Sequence, residues 1–424
     1  MTAPASLPRG AAAPGPEPRA DRRDWRTPAV MLAAGAAVLA ISLGVRHAFG
    51  LFLAPMSRDN GWSREVFSLA MAVQNLVWGA VQPFAGRLSD RFGAGRSVLA
   101  GSALYVAGLV LMARAHAPST LVGSGVLVGL GLSGTSFPIV FGAIARSTPP
   151  ARRSLAMGVA MSVGSLGQFA MLPGAVLSIE SIGWAATLLA MAALGAAMAP
   201  LSAALLERPA SGPPGEPPVR LRVALGEALR HRGFWLLSFG FLVCGFHVVF
   251  IATHLPAYLV DRGLGPRTGA TVLALVGLFN VAGSYVSGLL GGRMRKPEIL
   301  VAIYALRAVV IAAFLALPLT ETTAHAFGAA MGLLWLSTVP PTNGIVASVF
   351  GVRNLAMLGG IVFFFHQVGA FLGGWLGGRV YVATGSYDAV WWIAIALGVV
   401  AALLNVPIRE EPVARLRAAA EGAR

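Results

Sequence analysis

The chain has 424 residues, 56% of them hydrophobic and 12% charged, with a formal charge of +15 and a mean hydropathy of +0.73. Soluble domains carry about twice that share of charge, so a soluble globular protein is excluded. One cysteine, Cys244, excludes an internal disulfide and a cysteine-built metal site. The one lysine, Lys296, is followed by Pro297 and cannot serve a Gly-Lys-Ser/Thr phosphate loop, so energy must come from a gradient or a partner.

Residues 1–27, rich in Ala, Pro and Arg, read as a disordered tail. Long apolar blocks follow, such as Val30 to Val45 and Phe327 to Val352, neither with a charge. A bilayer core takes roughly 20 apolar residues per helix. Read against breakers, the blocks predict twelve spans: 28–52, 65–86, 96–115, 119–145, 153–177, 184–206, 233–259, 268–291, 298–318, 324–350, 354–381 and 388–407. The first block is too long for a cleaved signal peptide and is followed by more. Residues 207–232 form a polar linker containing "RPASGPPGEPP", which reads as flexible or polyproline-like. Residues 409–424 are a short C-terminal tail.

An even number of spans puts both ends on one side. Of the 32 basic residues, 24 fall on that side and six on the other, with Arg46 and Arg307 inside spans. The positive-inside rule places both termini and the linker in the cytoplasm. The same asymmetry accounts for the net charge and removes nucleic acid as a partner. The Arg-rich, lysine-poor composition suits a high-GC bacterial genome, hence a bacterial plasma membrane.

The chain repeats itself. Leu155-Ala156-Met157 returns 200 residues later as Leu355-Ala356-Met357, with Arg153 and Arg353 two places upstream. "GVRHAFGLFLAP" (44–55) matches "GFHVVFIATHLP" (245–256), pairing Arg46 with His247, and Asn75 matches Asn280. The fold is therefore all-α, with two pseudo-symmetric six-helix bundles, 28–206 and 233–408. Parallel halves of this kind hold substrate between them near the midplane in one class of secondary transporter.

"GRLSDRFGAGR" (86–96), between the second and third spans, resembles the signature of the major facilitator superfamily. "RRSLAMGVAMSVG" (152–164) resembles the fifth-helix motif of its monocarboxylate-transporter and oxalate–formate antiporter branch. The resemblance covers roughly 28–408. It implies that Asp90 sits at the N-terminus of the eleventh helix, where the helix dipole favours an anion, and helps to hold a cytoplasmic gate. Gly86, Arg91, Arg96, Arg153 and Arg353 are the accompanying gate candidates. The second copy of the loop, "GGRMRKP", lacks the Asp. The branch's substrate arginine of the eighth helix is also absent, since "FNVAGSYVSG" (279–288) has no charge, so the substrate does not carry over.

No span centre contains Asp or Glu. A buried cation without a protein counter-ion suggests that the cargo supplies the negative charge. Arg46 is the leading candidate, because guanidinium binds carboxylate through two parallel hydrogen bonds. The alternatives are an arginine that snorkels outward or bonds helix carbonyls. His247 is its repeat mate and can titrate near neutrality. Ser136, Trp335, Asn343, Gln168 and His366 complete the substrate-binding candidates. Arg307, in the peripheral ninth span, must turn inward or reach a carbonyl, in a structural or gating role. Pro138, Pro340 and Pro341 break hydrogen bonds in mid-span, as backbone lining a cavity tolerates.

These residues predict a secondary transporter that moves a small organic anion, a monocarboxylate, by alternating access, as proton symport or anion exchange. It is not an enzyme, needs no cofactor or metal, and suffices as a monomer in the bilayer. The rivals are an exporter of neutral or amphipathic compounds on the same fold and a non-transporting receptor or assembly protein.

Overall fold

A computed structural model describes residues 25–206 and 219–422. Among these, all regular structure is helical. The first span is α1 (Pro28–Ala48), capped by Thr27 with Pro28 in its first turn. It runs through one 3₁₀ turn, Phe49–Phe52, into α2 (Leu53–Asn60). Next come α3 (Arg64–Phe92) and α4 (Ala94–Ala113). The fourth span is split at Ser136 into α5 (Pro118–Thr135) and α6 (Phe137–Ser147). The fifth and sixth lie in α7 (Arg153–Ala196), which Gly183 breaks at φ 79°, a left-handed conformation open to glycine. The short α8 (Met198–Ser202) ends this half.

Within the expected linker, residues 221–230 form a helix, α9 (Leu221–Arg230). The Pro/Gly-rich part, 207–218, and residues 1–24 of the expected disordered tail lie outside the described residues. The second half comprises α10 (Arg232–Asp261), α11 (Pro266–Leu290), α12 (Lys296–Ala316), α13 (Glu321–Leu334), α14 (Val339–Phe350), α15 (Leu355–Thr384) and α16 (Asp388–Asn405), followed by α17 (Ala414–Gly422) in the tail. As in the fourth span, the tenth is interrupted, here between α13 and α14, with Pro340 and Pro341 in the first turn of α14. Proline is tolerated there because first-turn N–H groups have no helical partner. Among the described residues, ten stretches are long and apolar enough to cross a membrane. Dividing α7 at Gly183 and adding α3, whose Gln74, Asn75 and Gln82 lower its hydropathy, gives twelve.

In the first half α1 packs on α7, and α4 and α3 pack on α5. In the second α10 packs on α15, α11 on α13, and α12 on α16. The halves meet along two seams, α3 with α15 and α7 with α11, related by the repeat. Both seams close at the end where the tails lie. Gly86 is pressed against the backbone of Ala356. In the other seam, a Cβ on Gly158 would fall 2.6 Å from the Cα of Gly288. Without side chains the backbones approach closely, which substitutes for the hydrophobic drive that lipid does not provide.

A clasp covers the same end of the second half. Glu227 of α9 pairs with Arg415 of α17 at 3.3 Å, and Glu410 with Lys296 at 3.0 Å. Phe350, the last residue of α14, meets the rings of His231 and Phe234 edge-on at 5.3 and 5.6 Å.

Candidate functional site

Between the halves lies a cavity of about 470 Å³. Its lining begins halfway along the spans and continues to the end away from the tails. On the first span, which starts at the tail end, the lining takes in Leu43, Arg46 and His47 of α1 and Gly50 and Leu51 of the 3₁₀ turn. On α10 it takes in Val248, Val249, Ala252 and Thr253. Gly50, Ala252 and Thr253 are exposed and form the mouth. The floor is the closed seam pair.

Arg46 lines this cavity. Its Nη2 donates to Asn75 Oδ1 at 2.6 Å, and its guanidinium lies over the Trp78 ring at 5.0 Å. Its Nε is buried with no protein acceptor. No carboxylate lines the cavity among the described residues. The positive charge is therefore held by an amide dipole and an aromatic face, which is weak compensation for a cation taken out of water.

Asn75 is fixed from two sides. Its Nδ2 donates to Met71 O at 3.0 Å, and its own carbonyl accepts from Gln367 Nε2 at 3.2 Å. Gln367 Oε1 lies 3.3 Å from His366 Nδ1. A polar chain thus runs from α1 through α3 to α15, across the seam. Trp78 is held in turn by Gln82, whose Oε1 accepts from Trp78 Nε1 at 3.0 Å and from Ser136 Oγ at 2.7 Å. Gln82 Nε2 donates to Ser133 O at 3.1 Å. Ser136 therefore sits behind Trp78, at the break between α5 and α6, and its bond serves the wall.

The structure brings Arg46, Gln168, Trp335 and His366 together around one cavity, along with His47, Asn75, Trp78 and Gln367. Gln168 Nε2, like Arg46 Nε, is a buried donor with no protein partner. His247 is not in this group. Its Nε2 lies 2.8 Å from Ala394 O on α16, so the repeat mate of Arg46 is turned into the second half. Asn343 also lies away from the cavity, donating to Val339 O at 3.0 Å within its own helix and packed against Gly359. Asn75 and Trp78 are lining residues that the sequence does not mark as part of a site. Asn75 is an amide inside an apolar span, but its role requires α3 and α15 to be adjacent.

Arg307 takes the carbonyl alternative. Its Nε and Nη2 donate to Leu334 O at 3.1 and 2.5 Å, and Nη2 also reaches Trp335 O. These are the free carbonyls at the end of α13, where the helix dipole is negative. The buried cation thus caps the break of the tenth span and sets the backbone that carries Trp335 into the cavity.

At the closed end, the Asp90 side chain is buried. Its Oδ2 accepts from Met357 N at 2.8 Å and its Oδ1 from Ala356 N at 3.2 Å, at the start of α15. Its cationic partner is Arg146 of α6, at 2.9 Å. Arg91 and Arg96, expected beside it, are exposed, and Arg91 lies over the Phe92 ring at 5.0 Å. Arg146 can reach because α6 ends directly under α3. Arg87 bridges to Asn354 Oδ1 at 3.4 Å. Arg153 Nε donates to Ala145 O and Thr148 O, at 2.9 and 3.1 Å, capping the end of α6. Arg353 occupies the turn before α15.

Two helical halves closing at one end over a central cavity define an integral membrane transporter for small molecules. The chain belongs to the major facilitator superfamily, whose family model matches residues 30–374. Mouse monocarboxylate transporter 11 is 29% identical over 378 residues, covering 85% of this chain and 82% of that protein. The oxalate:formate antiporter of Oxalobacter formigenes is 24% identical over 394 residues, 88% of this chain and 90% of that protein. The Escherichia coli fucose:proton symporter superposes with a TM-score of 0.71 over 89% of this chain and 98% of its own. At 14% identity this is a likeness of fold.

Proposed function

We propose that the protein is a secondary active carrier of organic monoanions, with Arg46 as the group that binds the cargo's carboxylate. The observation that carries this reading is the guanidinium of Arg46 in a cavity without a carboxylate, with its Nε free of protein acceptors. Gln168 Nε2 offers a second unpaired donor in the same lining. A carboxylate in the cavity supplies the missing charge. The similarity to a monocarboxylate transporter and to an oxalate:formate antiporter supports the same class.

Residues 28–206 and 233–408 act as two bodies that rock about the cargo. With the termini in the cytoplasm, the described state faces outward, and Asp90 with the glycine seams closes the inner side. Cargo charge neutralises Arg46, which allows the seams to exchange partners. Two histidines, His47 and His366, lie in the same lining. Anion exchange needs no proton site. One chain suffices for the cycle.

Counterflow into proteoliposomes tests this reading. Vesicles loaded with an unlabelled carboxylate accumulate the labelled acid above equilibrium if the protein is a carrier. Accumulation of labelled neutral solutes alone, with none of any acid, contradicts it.

A further inference from the structure

We infer that the cargo is a monocarboxylate with a bulky aromatic or branched apolar body, and that dicarboxylates and the smallest acids are poor cargo. This rests on the reading of Arg46 as the carboxylate's partner and adds what the rest of the cavity would select.

The first argument is charge. Among the lining residues Arg46 is the one Lys or Arg. His47 Nδ1 lies 2.9 Å from Leu43 O, within the same helix, so that nitrogen donates to the backbone and is not aimed at cargo. A second carboxylate would enter with no second lysine or arginine to meet it, and a desolvated, unpaired charge is strongly disfavoured.

The second argument is surface. Trp78, Phe137, Phe169, Trp335 and Phe363 line the cavity from five different spans. Phe363 packs on Trp78 at 4.8 Å and edge-on against Phe137 at 5.0 Å, and stacks on His366 at 5.5 Å. Trp78, Phe363, Phe137 and His366 thus make one continuous wall, and Trp78 lies under the guanidinium. Aromatic faces favour an aromatic or branched partner stacked or set edge-on against them.

The third is size. The cavity of about 470 Å³ holds roughly 15 waters at about 30 Å³ each. A two-carbon acid would occupy the Arg46 end and leave the aromatic wall wet. An acid with a ring covers part of that wall and removes it from water, so binding strengthens with apolar area.

The test is binding of an acid series to the purified full-length protein in nanodiscs, by calorimetry. The probes are acetate, oxalate, phenylacetate, indole-3-acetate and the uncharged phenylethanol, with Arg46→Gln in parallel and its fold checked by thermal melting. The expected result is a Kd at least about tenfold lower for phenylacetate than for acetate, since burying a ring-sized apolar group is worth that or more. Indole-3-acetate should bind at least as tightly, oxalate should be undetectable, and phenylethanol should be at least about tenfold weaker than phenylacetate. If acetate or oxalate binds as well as phenylacetate and Arg46→Gln abolishes all of it, the bulky-cargo inference falls and the role of Arg46 stands. If phenylethanol matches phenylacetate and Arg46→Gln changes nothing, or no acid binds the folded protein, both fall.

Discussion

Asp90 Oδ2 accepts the backbone N–H of Met357 at 2.8 Å, across a seam that joins residues 267 positions apart. With Ala356 N and Arg146 on Oδ1, one carboxylate ties α3, α6 and α15 together at the closed end. Hydrogen bonds to a charged group are worth roughly 1.5–3 kcal/mol each. Asp90→Asn keeps the shape, turns one of the two acceptor oxygens into an NH2 donor that faces another donor, and removes the negative charge beside Arg146. The closed end should open at least about tenfold more often. A cysteine placed at the buried Ser154, in a Cys244→Ser background, should then react several-fold faster with a membrane-impermeant maleimide applied from the tail side. An unchanged rate would show that the glycine seams alone hold this end.

Arg307 should matter for folding more than for cargo. Arg307→Met leaves the carbonyls of Leu334 and Trp335 buried without donors. A buried carbonyl left unsatisfied costs about 1–3 kcal/mol, which should lower the melting temperature in detergent by several degrees. Arg307→Lys, which keeps the charge and loses the fork, should fall between. A melting temperature unchanged in Arg307→Met would mean that the break is set by Pro340 and Pro341.

Asn75→Asp would place a carboxylate where Arg46 now finds an amide at 2.6 Å. The protein would carry its own counter-ion. Carboxylate binding should weaken by about a hundredfold, the scale of a lost close charge pair, while the melting temperature holds or rises. Binding that survives Asn75→Asp would argue that cargo does not use the guanidinium.

The clasp of α9 and α17 gives a milder prediction. Its two ion pairs are partly exposed, with side chains 16–21% accessible, so each is worth on the order of 1 kcal/mol or less. Glu227→Gln with Glu410→Gln should lower the melting temperature by a few degrees in low salt. The difference should shrink as salt screens the pairs. A salt-independent loss would point to packing around Phe350 instead.

Much of this was legible in the chain because the bilayer imposes a strict length and polarity on each span. Arg46 stood out as a charge in an apolar run. The repeat at Leu155 and Leu355 pointed to two halves, and the resemblance carried by the Asp90 loop implied its contact with the eleventh helix. What a repeat does not transmit is rotation about a helix axis. His247 shares the depth of Arg46, but α10 turns Val248 and Val249 to the cavity and His247 to Ala394. Arg146 was hidden for a different reason. Three arginines stand closer to Asp90 in sequence, and only the packing of α6 beneath α3 selects the one that reaches it. Asn75 and Gln367 lie 292 positions apart, and only the packing of α3 on α15 joins them.

The most direct test of the account is cargo binding to Arg46→Gln compared with the unmodified protein and Arg46→Lys, measured by quenching of tryptophan fluorescence. Trp78 lies under the guanidinium and reports on its occupancy. Saturable quenching by a carboxylate in the unmodified protein, weakened in Arg46→Lys and absent in a folded Arg46→Gln, is the predicted result. Equal quenching and equal affinity in all three would contradict the account and leave Arg46 a structural cation.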